Sequence, residues 1–295
     1  MNLKLQLRGT GVAVITPFTE TNEVDYEALG NLLSHLIDNG VNYIVTLGTT
    51  GETPVLNKNE KKAIIDFTCK HINGRVPIVV GIGGNNTQEV IEDLKSFDLS
   101  KAVAVLSASP YYNKPSQEGL FQHYKALAEA SPKPIILYNV PGRTGRNMTA
   151  HTTLRLAREV NNIVGIKEAS GDMQQCMEII NGCPDNFLVV SGDDALAMPQ
   201  IACGMQGVIS VAANAYPKEF CKMIEHSLAF AMNDAKKING LLMPAYDLMF
   251  AENNPAGVKA FLAEMGIIKN YLRLPAVPLS SELHQKVKTY IQHNN

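Results

Sequence analysis

Lys167 closes the apolar run Ile163-Val164-Gly165-Ile166, where its side chain must either reach water or enter a cavity bordered by that run. An ordinary lysine, with a pKa of ~10.4, is a poor nucleophile at neutral pH. Desolvation favours the neutral amine, which can add to a ketone and form an imine. The plainer reading is a strand-end lysine in solvent or paired with Glu168. Four other groups stand where they could serve such chemistry. Gly48-Thr49-Thr50-Gly51-Glu52 is a glycine-bounded turn with two hydroxyls and consecutive N–H groups, suited to a small carboxylate; it reads equally as a tight loop whose threonines cap the next element. Tyr138 ends an apolar run, so its ring fits a core while its hydroxyl reaches an opening. Tyr111 and Tyr112 stand side by side between Pro110 and Pro115, as exposed tyrosines at an interface do. Arg143, in a Gly/Thr loop, can fork onto a carboxylate, although a surface loop arginine is the commoner case.

Two further motifs read as bland. Asp193-Asp194 has no histidine or third carboxylate at ligand spacing, and is expected to supply helix N-terminal acids. Gly81-Ile82-Gly83-Gly84 lacks both a P-loop lysine and the dinucleotide pattern.

The elements that must position these residues follow from short apolar, β-branched runs bounded mostly by Gly, Pro or Asn. They are Gly11–Ile15, Tyr43–Leu47, Pro77–Gly81, Ala102–Ser107, Pro134–Tyr138, Ile163–Lys167, Phe187–Ser191 and Gly207–Val211. Continuous apolar runs of this kind suit strands buried on both faces of a parallel sheet. Helical patterns lie between them. Tyr26–Asn39 puts Leu29, Leu32, Leu33, Leu36 and Ile37 on one stripe and stops at Gly40. Asn57 with Glu60 three positions on resembles a capping box, and Pro217 suits a first helical turn. Strand–helix alternation eight times over predicts an α/β fold, a (β/α)8 TIM barrel over residues 1–231. Periodicity does not show closure, so a doubly wound open sheet stays open as an alternative. A helical C-terminal domain over 232–295 follows: Ala235–Ala251, a piece from Asn254-Pro255 to just before Gly266, and Ser281–Gln292, with the proline-punctuated Leu272–Leu279 as a connection. Strand tips are where such barrels carry catalytic groups. That puts Lys167, Tyr138, the Thr49-Thr50 turn and Gly192 at one end.

The 295 residues are 45% hydrophobic and 18% charged, with net charge −2. No basic stripe appears, which argues against nucleic acid or anionic membrane as partners. Five cysteines without CxxC spacing read as reduced, mostly buried thiols, with neither a zinc site nor a disulfide framework. The first residues, MNLKLQL, lack the features of a signal peptide, and no run approaches a membrane span. A cytoplasmic protein is expected.

Taken together, the segments GVAVITPF (11–18), GTTGE (48–52), SPYYNKPSQEGL (109–120), LYNVPGRTG (137–145), GIKEASGD (165–172), SGDD (191–194), GVISVAAN (207–214) and LRLPAVPLS (272–280) carry a resemblance. The chain resembles, over essentially its whole length, the pyruvate-dependent class I aldolases and lyases related to N-acetylneuraminate lyase. GTTGE marks only that superfamily. The tyrosine pair with the Arg143 loop narrows it to the branch that condenses pyruvate with L-aspartate-4-semialdehyde, the committed step of diaminopimelate and lysine biosynthesis.

The resemblance implies a barrel with a helical C-terminal domain, a homotetramer built as a dimer of dimers, and no metal or organic cofactor. It implies that Lys167 forms the Schiff base and that Tyr138 donates and accepts the proton. Thr50 and Tyr112 complete a hydroxyl relay with Tyr138. The backbone at Thr49 and Thr50 holds the pyruvate carboxylate, Ile209 and Gly192 line the pyruvate pocket, and Arg143 binds the semialdehyde carboxylate. Tyr112 would enter the neighbouring subunit's site and Tyr111 would pack at the same interface, so each site would be completed in trans. Asn85, Glu89 and Tyr111 stand where inhibited members bind lysine, along with positions 54, 58 and 61. Lys58 and Lys61 replace histidines of the inhibited bacterial form, and their charges should weaken a cationic effector; weak or absent inhibition by lysine is expected. The nearest alternative is a lyase of the same superfamily acting on N-acetylneuraminate or a 2-keto-3-deoxy sugar acid. An alternative of another kind is a non-catalytic barrel that senses small carboxylates.

Overall fold

The computed structural model describes residues 3–294. Its strands close into one parallel barrel in chain order: β1 Gly9–Ala13, β2 Tyr43–Thr46, β3 Ile78–Gly81, β4 Ala104–Ala108, β5 Ile135–Asn139, β6 Ile163–Glu168, β7 Leu188–Ser191 and β8 Gly207–Ser210. The open-sheet alternative is excluded by the pairing of β1 with β8, Gly9 opposite Gly207 and Gly11 opposite Ile209. A Cβ on Gly207 would lie 2.0 Å from the Gly9 carbonyl oxygen. The seam closes because neither partner carries a side chain there.

The seam also corrects one boundary. The first strand was expected at Gly11–Ile15, but it begins two residues earlier, at Gly9. Gly9 and Thr10 carry no apolar signal, and they belong to the strand only because β8 is there to receive them. β2 to β8 start and stop within two residues of their apolar runs.

Those continuous runs sort into two alternating sets. Val79, Ala104, Leu106, Ile136, Tyr138, Val190 and Ile209 point into the barrel and pack on one another. Val80, Val105, Ile135, Leu137, Ile166 and Val189 point outward and pack under the helices. Strand side chains alternate faces, and here both faces are buried, so the runs are mostly apolar, with small hydroxyls such as Thr46 as exceptions.

The helices form the outer layer. Tyr26–Asp38 buries Leu29, Leu32, Leu33 and Leu36 and starts at Asp25, whose side chain accepts from the Ala28 N–H. Burying each of those leucines contributes about 1.5–3 kcal/mol. The capping box of Asn57 and Glu60 is formed as expected, and Pro217 opens the helix Pro217–Leu228. Beyond it come Met232–Phe250, Ala256–Glu264 and Ser281–Asn294, joined by non-helical chain through 270–280.

Among the described residues no helix is long and apolar enough to cross a membrane, and no three His, Cys, Asp or Glu side chains gather at a metal-binding spacing. All five cysteines are free; Cys176 and Cys221 are buried, Cys69 and Cys183 half-buried and Cys203 exposed, so the thiols are less buried than composition suggested.

Candidate active site

The alternation that fills the barrel also aims its catalytic candidates. In β6, Ile166 faces the helices, Lys167 faces inward and Glu168 faces outward again. Lys167 pairs in register with Tyr138 on β5 and Val190 on β7. Its side chain is 4% exposed, and its Nζ lies 4.4 Å from the centroid of the Tyr138 ring. No carboxylate lies within ion-pair distance of it among the described residues.

Glu168 is therefore not its partner. It is fully buried on the far side of the strand and accepts from Asn139 Nδ2 (3.0 Å), Gln175 Nε2 (3.0 Å) and the Ser170 N–H (2.7 Å). This shell of neutral donors satisfies a buried carboxylate without a cation. It also fixes the strand end from which Lys167 projects.

Gly192, at the end of β7, makes room for the lysine. A Cβ there would stand 2.9 Å from Lys167 Cε and 2.6 Å from Ala169 Cβ. Its N–H donates to the Glu168 carbonyl at 2.7 Å. Ile209 faces inward on β8 and is 1% exposed.

The turn after β2 is a single 3-10 turn, Thr49–Gly51, ending at Glu52 in the left-handed conformation (φ 54°, ψ 34°). The amides of Thr49 and Thr50 occupy its first positions, which have no acceptor within the turn. Glu52 is buried and pairs with the fully buried Lys259; its other oxygen accepts from the Arg273 N–H at 3.2 Å. Burial pushes the Lys259 ammonium down to about 8 against the pull of Glu52. Lys259 also donates to the Tyr271 carbonyl and lies 4.3 Å from the Phe18 ring centroid. Thr50 Oγ1 accepts from Asn254 Nδ2 at 3.0 Å. Reading the sequence missed Asn254, Lys259 and Arg273 altogether. The one signal was a buried-type lysine inside the apolar helix Ala256–Glu264.

A cavity of about 570 Å³ opens at this end of the barrel, lined by Gly48, Thr49, Tyr138, Val140 and Arg143 and continuing past Lys61, Asn85, Glu89 and Tyr111. The structure thus brings Thr49, Tyr138 and Arg143 onto one wall. Lys167, Thr50, Gly192 and Ile209 are not on that wall; each lies beside residues that are, or beside Lys167 itself. The glycine-rich segment 81–84, which carried no phosphate signal, also lines the cavity.

Tyr112 stands apart. It is 89% exposed in the single chain, at φ 69°, and does not line the cavity. Tyr111 is half-exposed, with its N–H donating to Asn85 Oδ1 at 2.9 Å. At the other expected effector positions, Lys58 is paired with Asp93 at 2.9 Å, whereas Lys61 lines the cavity. Asp93 thus offsets the Lys58 charge, whereas Lys61 brings its charge to the cavity.

Asp193 and Asp194 differ from expectation. Asp193 Oδ1 accepts from the Ala195 and Leu196 N–H groups, as a turn cap does. Asp194 is fully enclosed and receives the Val211 and Ala212 N–H groups, tying the exit of β7 to the exit of β8; burial raises its carboxyl to about 6. The pattern of two acids could not distinguish a cap from a cross-brace, because the brace's donors lie 17 and 18 residues away.

A closed (β/α)8 barrel with an enclosed amine at one strand tip, a phenol beside it and the opening amides of a turn at the same end has the makings of a carbonyl-binding enzyme. The chain belongs to the dihydrodipicolinate synthetase family, whose model matches residues 6–294. It is 50% identical over 288 residues to a curated 4-hydroxy-tetrahydrodipicolinate synthase of Parabacteroides distasonis, covering 98% of this chain and 97% of that one. Among solved structures it is similar to the chloride-inhibited dihydrodipicolinate synthase of Acinetobacter baumannii complexed with pyruvate, at TM-score 0.95 and 40% identity over 98% of this chain and 99% of that one. It is also similar to a monomeric dihydrodipicolinate synthase variant, at TM-score 0.96 and 36% identity over 99% and 98% of the two chains.

Proposed function

We propose that the protein condenses pyruvate with L-aspartate-4-semialdehyde to give 4-hydroxy-tetrahydrodipicolinate, through an imine on Lys167. The observation that carries this reading is the Lys167 amine, 4% exposed, unpaired with any described carboxylate and 4.4 Å from the Tyr138 ring centroid. Family membership and the names of the relatives support the substrates, and they give the sugar-acid alternative no support.

The chemistry runs through the chain's own groups. Lys167 Nζ attacks the keto carbon of pyruvate, whose carboxylate accepts from the Thr49 and Thr50 amides. Tyr138 protonates the carbinolamine hydroxyl, which leaves as water, and an iminium remains. The iminium withdraws electrons from the methyl group. Loss of one methyl proton gives an enamine, and its carbon attacks the aldehyde carbon of the second substrate. That substrate's amine then adds to the imine carbon, closes the ring and expels the Lys167 amine. Arg143, at the cavity wall, receives the semialdehyde carboxylate, while Ile209 and Gly192 bound the pyruvate pocket. The relay from Tyr138 through Thr50 is completed by Tyr112 of a second copy, which makes the dimer the minimal catalytic unit of an expected dimer of dimers. The C-terminal segment 232–295 serves as a helical domain that braces the turn after β2, and the effector response at Asn85, Glu89 and Tyr111 is weak.

Borohydride reduction with pyruvate present tests the core of this reading. Mass spectrometry is expected to find one pyruvyl-sized adduct on Lys167. An adduct elsewhere, or K167R with intact turnover, would sink it.

A further inference from the structure

We infer that Asn254 is a positioning residue that sets the direction of the proton relay, by holding the Thr50 hydroxyl so that it donates toward Tyr138. The inference rests on the reading of Thr50 as part of that relay.

Asn254 is 5% exposed, and among the described residues its side chain makes one hydrogen bond, from Nδ2 to Thr50 Oγ1. Its Oδ1 is buried with no partner among the described residues. Turning the amide over would strand the NH2 instead. A stranded buried N–H is rarer than an under-used oxygen, so the donor faces the threonine. A hydroxyl that already accepts there keeps its own proton for another acceptor. In the proposed relay, that acceptor is the Tyr138 phenol oxygen. With that oxygen occupied as an acceptor, the phenol proton is free to go to the departing carbinolamine hydroxyl.

The placement of Asn254 is built in. The Gly257 N–H donates to the Asn253 carbonyl at 3.1 Å, and a Cβ on Gly257 would lie 2.0 Å from the Met249 carbonyl oxygen. This helix start is therefore seated directly on the end of the preceding helix. Five residues after Asn254, Lys259 grips Glu52. One short segment thus holds two members of the same turn, Thr50 by its hydroxyl and Glu52 by its carboxylate.

The test is a double-mutant cycle on the full-length enzyme. N254D keeps the size but offers an acceptor, so the Thr50 proton turns away from Tyr138. N254D is expected to lower kcat about 100-fold and to slow formation of the borohydride-trapped adduct by a similar factor, with KM for pyruvate within about twofold. T50V is expected to match it, and N254D/T50V to be no worse than T50V alone. N254A, which removes the donor without a competing acceptor, should fall between wild type and N254D; if N254D lacks a cooperative melt, the cycle is read with N254A. Losses that multiply in the double variant, a KM effect without a kcat effect, or N254A more impaired than N254D overturn the role of Asn254 and leave the relay standing. T50V with wild-type turnover overturns the relay reading and this inference together.

Discussion

Arg143 lines the cavity, and no ion pair or side-chain hydrogen bond holds it among the described residues. A charged donor poised that way suits an arriving carboxylate. A hydrogen bond to a charged group is worth about 1.5–3 kcal/mol, so R143A is expected to lower kcat/KM for the semialdehyde roughly 10- to 100-fold. Pyruvate trapping on Lys167 should stay at its wild-type rate, and R143K should recover little, because an ammonium lacks the planar fork. Equal losses in trapping would place Arg143 on the first substrate instead. Residues of this kind were legible because strand tips and their loops are short and contiguous. Lys167, Tyr138, the Thr49-Thr50 turn and Arg143 all declare themselves by ending an apolar run or standing in a Gly-bounded loop. Asn254 and Lys259 do not, since a polar residue in a distant helical stretch gains its meaning only from the turn it meets across the fold.

The elements were legible where the pattern of both faces is apolar and obscure where a partner decides the outcome. β2 to β8 follow their apolar runs, whereas β1 begins at residues whose only reason to be strand is β8. The helical layer holds a further group invisible to periodicity. His123, on the helix Gln117–Ala130, has its Nδ1 2.8 Å from Thr87 Oγ1 and its Nε2 buried with no partner among the described residues. Burial pushes its pKa down to about 4. The unfolded chain, at ~6.5, binds more protons between those values, so the contribution is complete above pH 6.5 and is lost as pH falls toward 4. The size is roughly 3 kcal/mol. Asp194 works in the opposite sense: raised to about 6, it contributes most below pH 3.8 and loses that contribution as pH rises through 6. The two offset each other across the acid range. H123Q removes one arm, so its stability deficit at pH 7.5, from lost packing on Tyr124, should shrink or reverse at pH 4.5. Thermal melts of both proteins at the two pH values decide this, and a constant deficit contradicts it.

At the scale of the whole molecule, Tyr112 is 89% exposed in the single chain and stands outside its cavity. If it completes a second copy's site, K167A and Y112F should each be poor alone and recover when unfolded together and refolded as a mixture. In a heterodimer one site has its own Lys167 and the other chain's Tyr112, so an equal mixture restores about a quarter of the sites. Activity that stays at the average of the two parents would show that each site is complete within its own chain. Sequence patterning reached the barrel and the helices beyond it; it could not reach closure, because closure is a contact between the first strand and the last.

Three of the bonds that hold the turn after β2 span 204 to 221 residues of chain, against 35 for the one from Thr16 Oγ1 to the Gly51 carbonyl. A ribosome making this protein delivers that turn early and its fastenings nearly last. The proposed nucleophile, Lys167, can be exposed on a half-made chain, yet the turn across from it lacks these long-range fastenings until residues 254 to 273 have emerged. Competence for turnover is therefore expected to arrive late, and a product truncated before residue 254 should retain most of the barrel with a less ordered mouth.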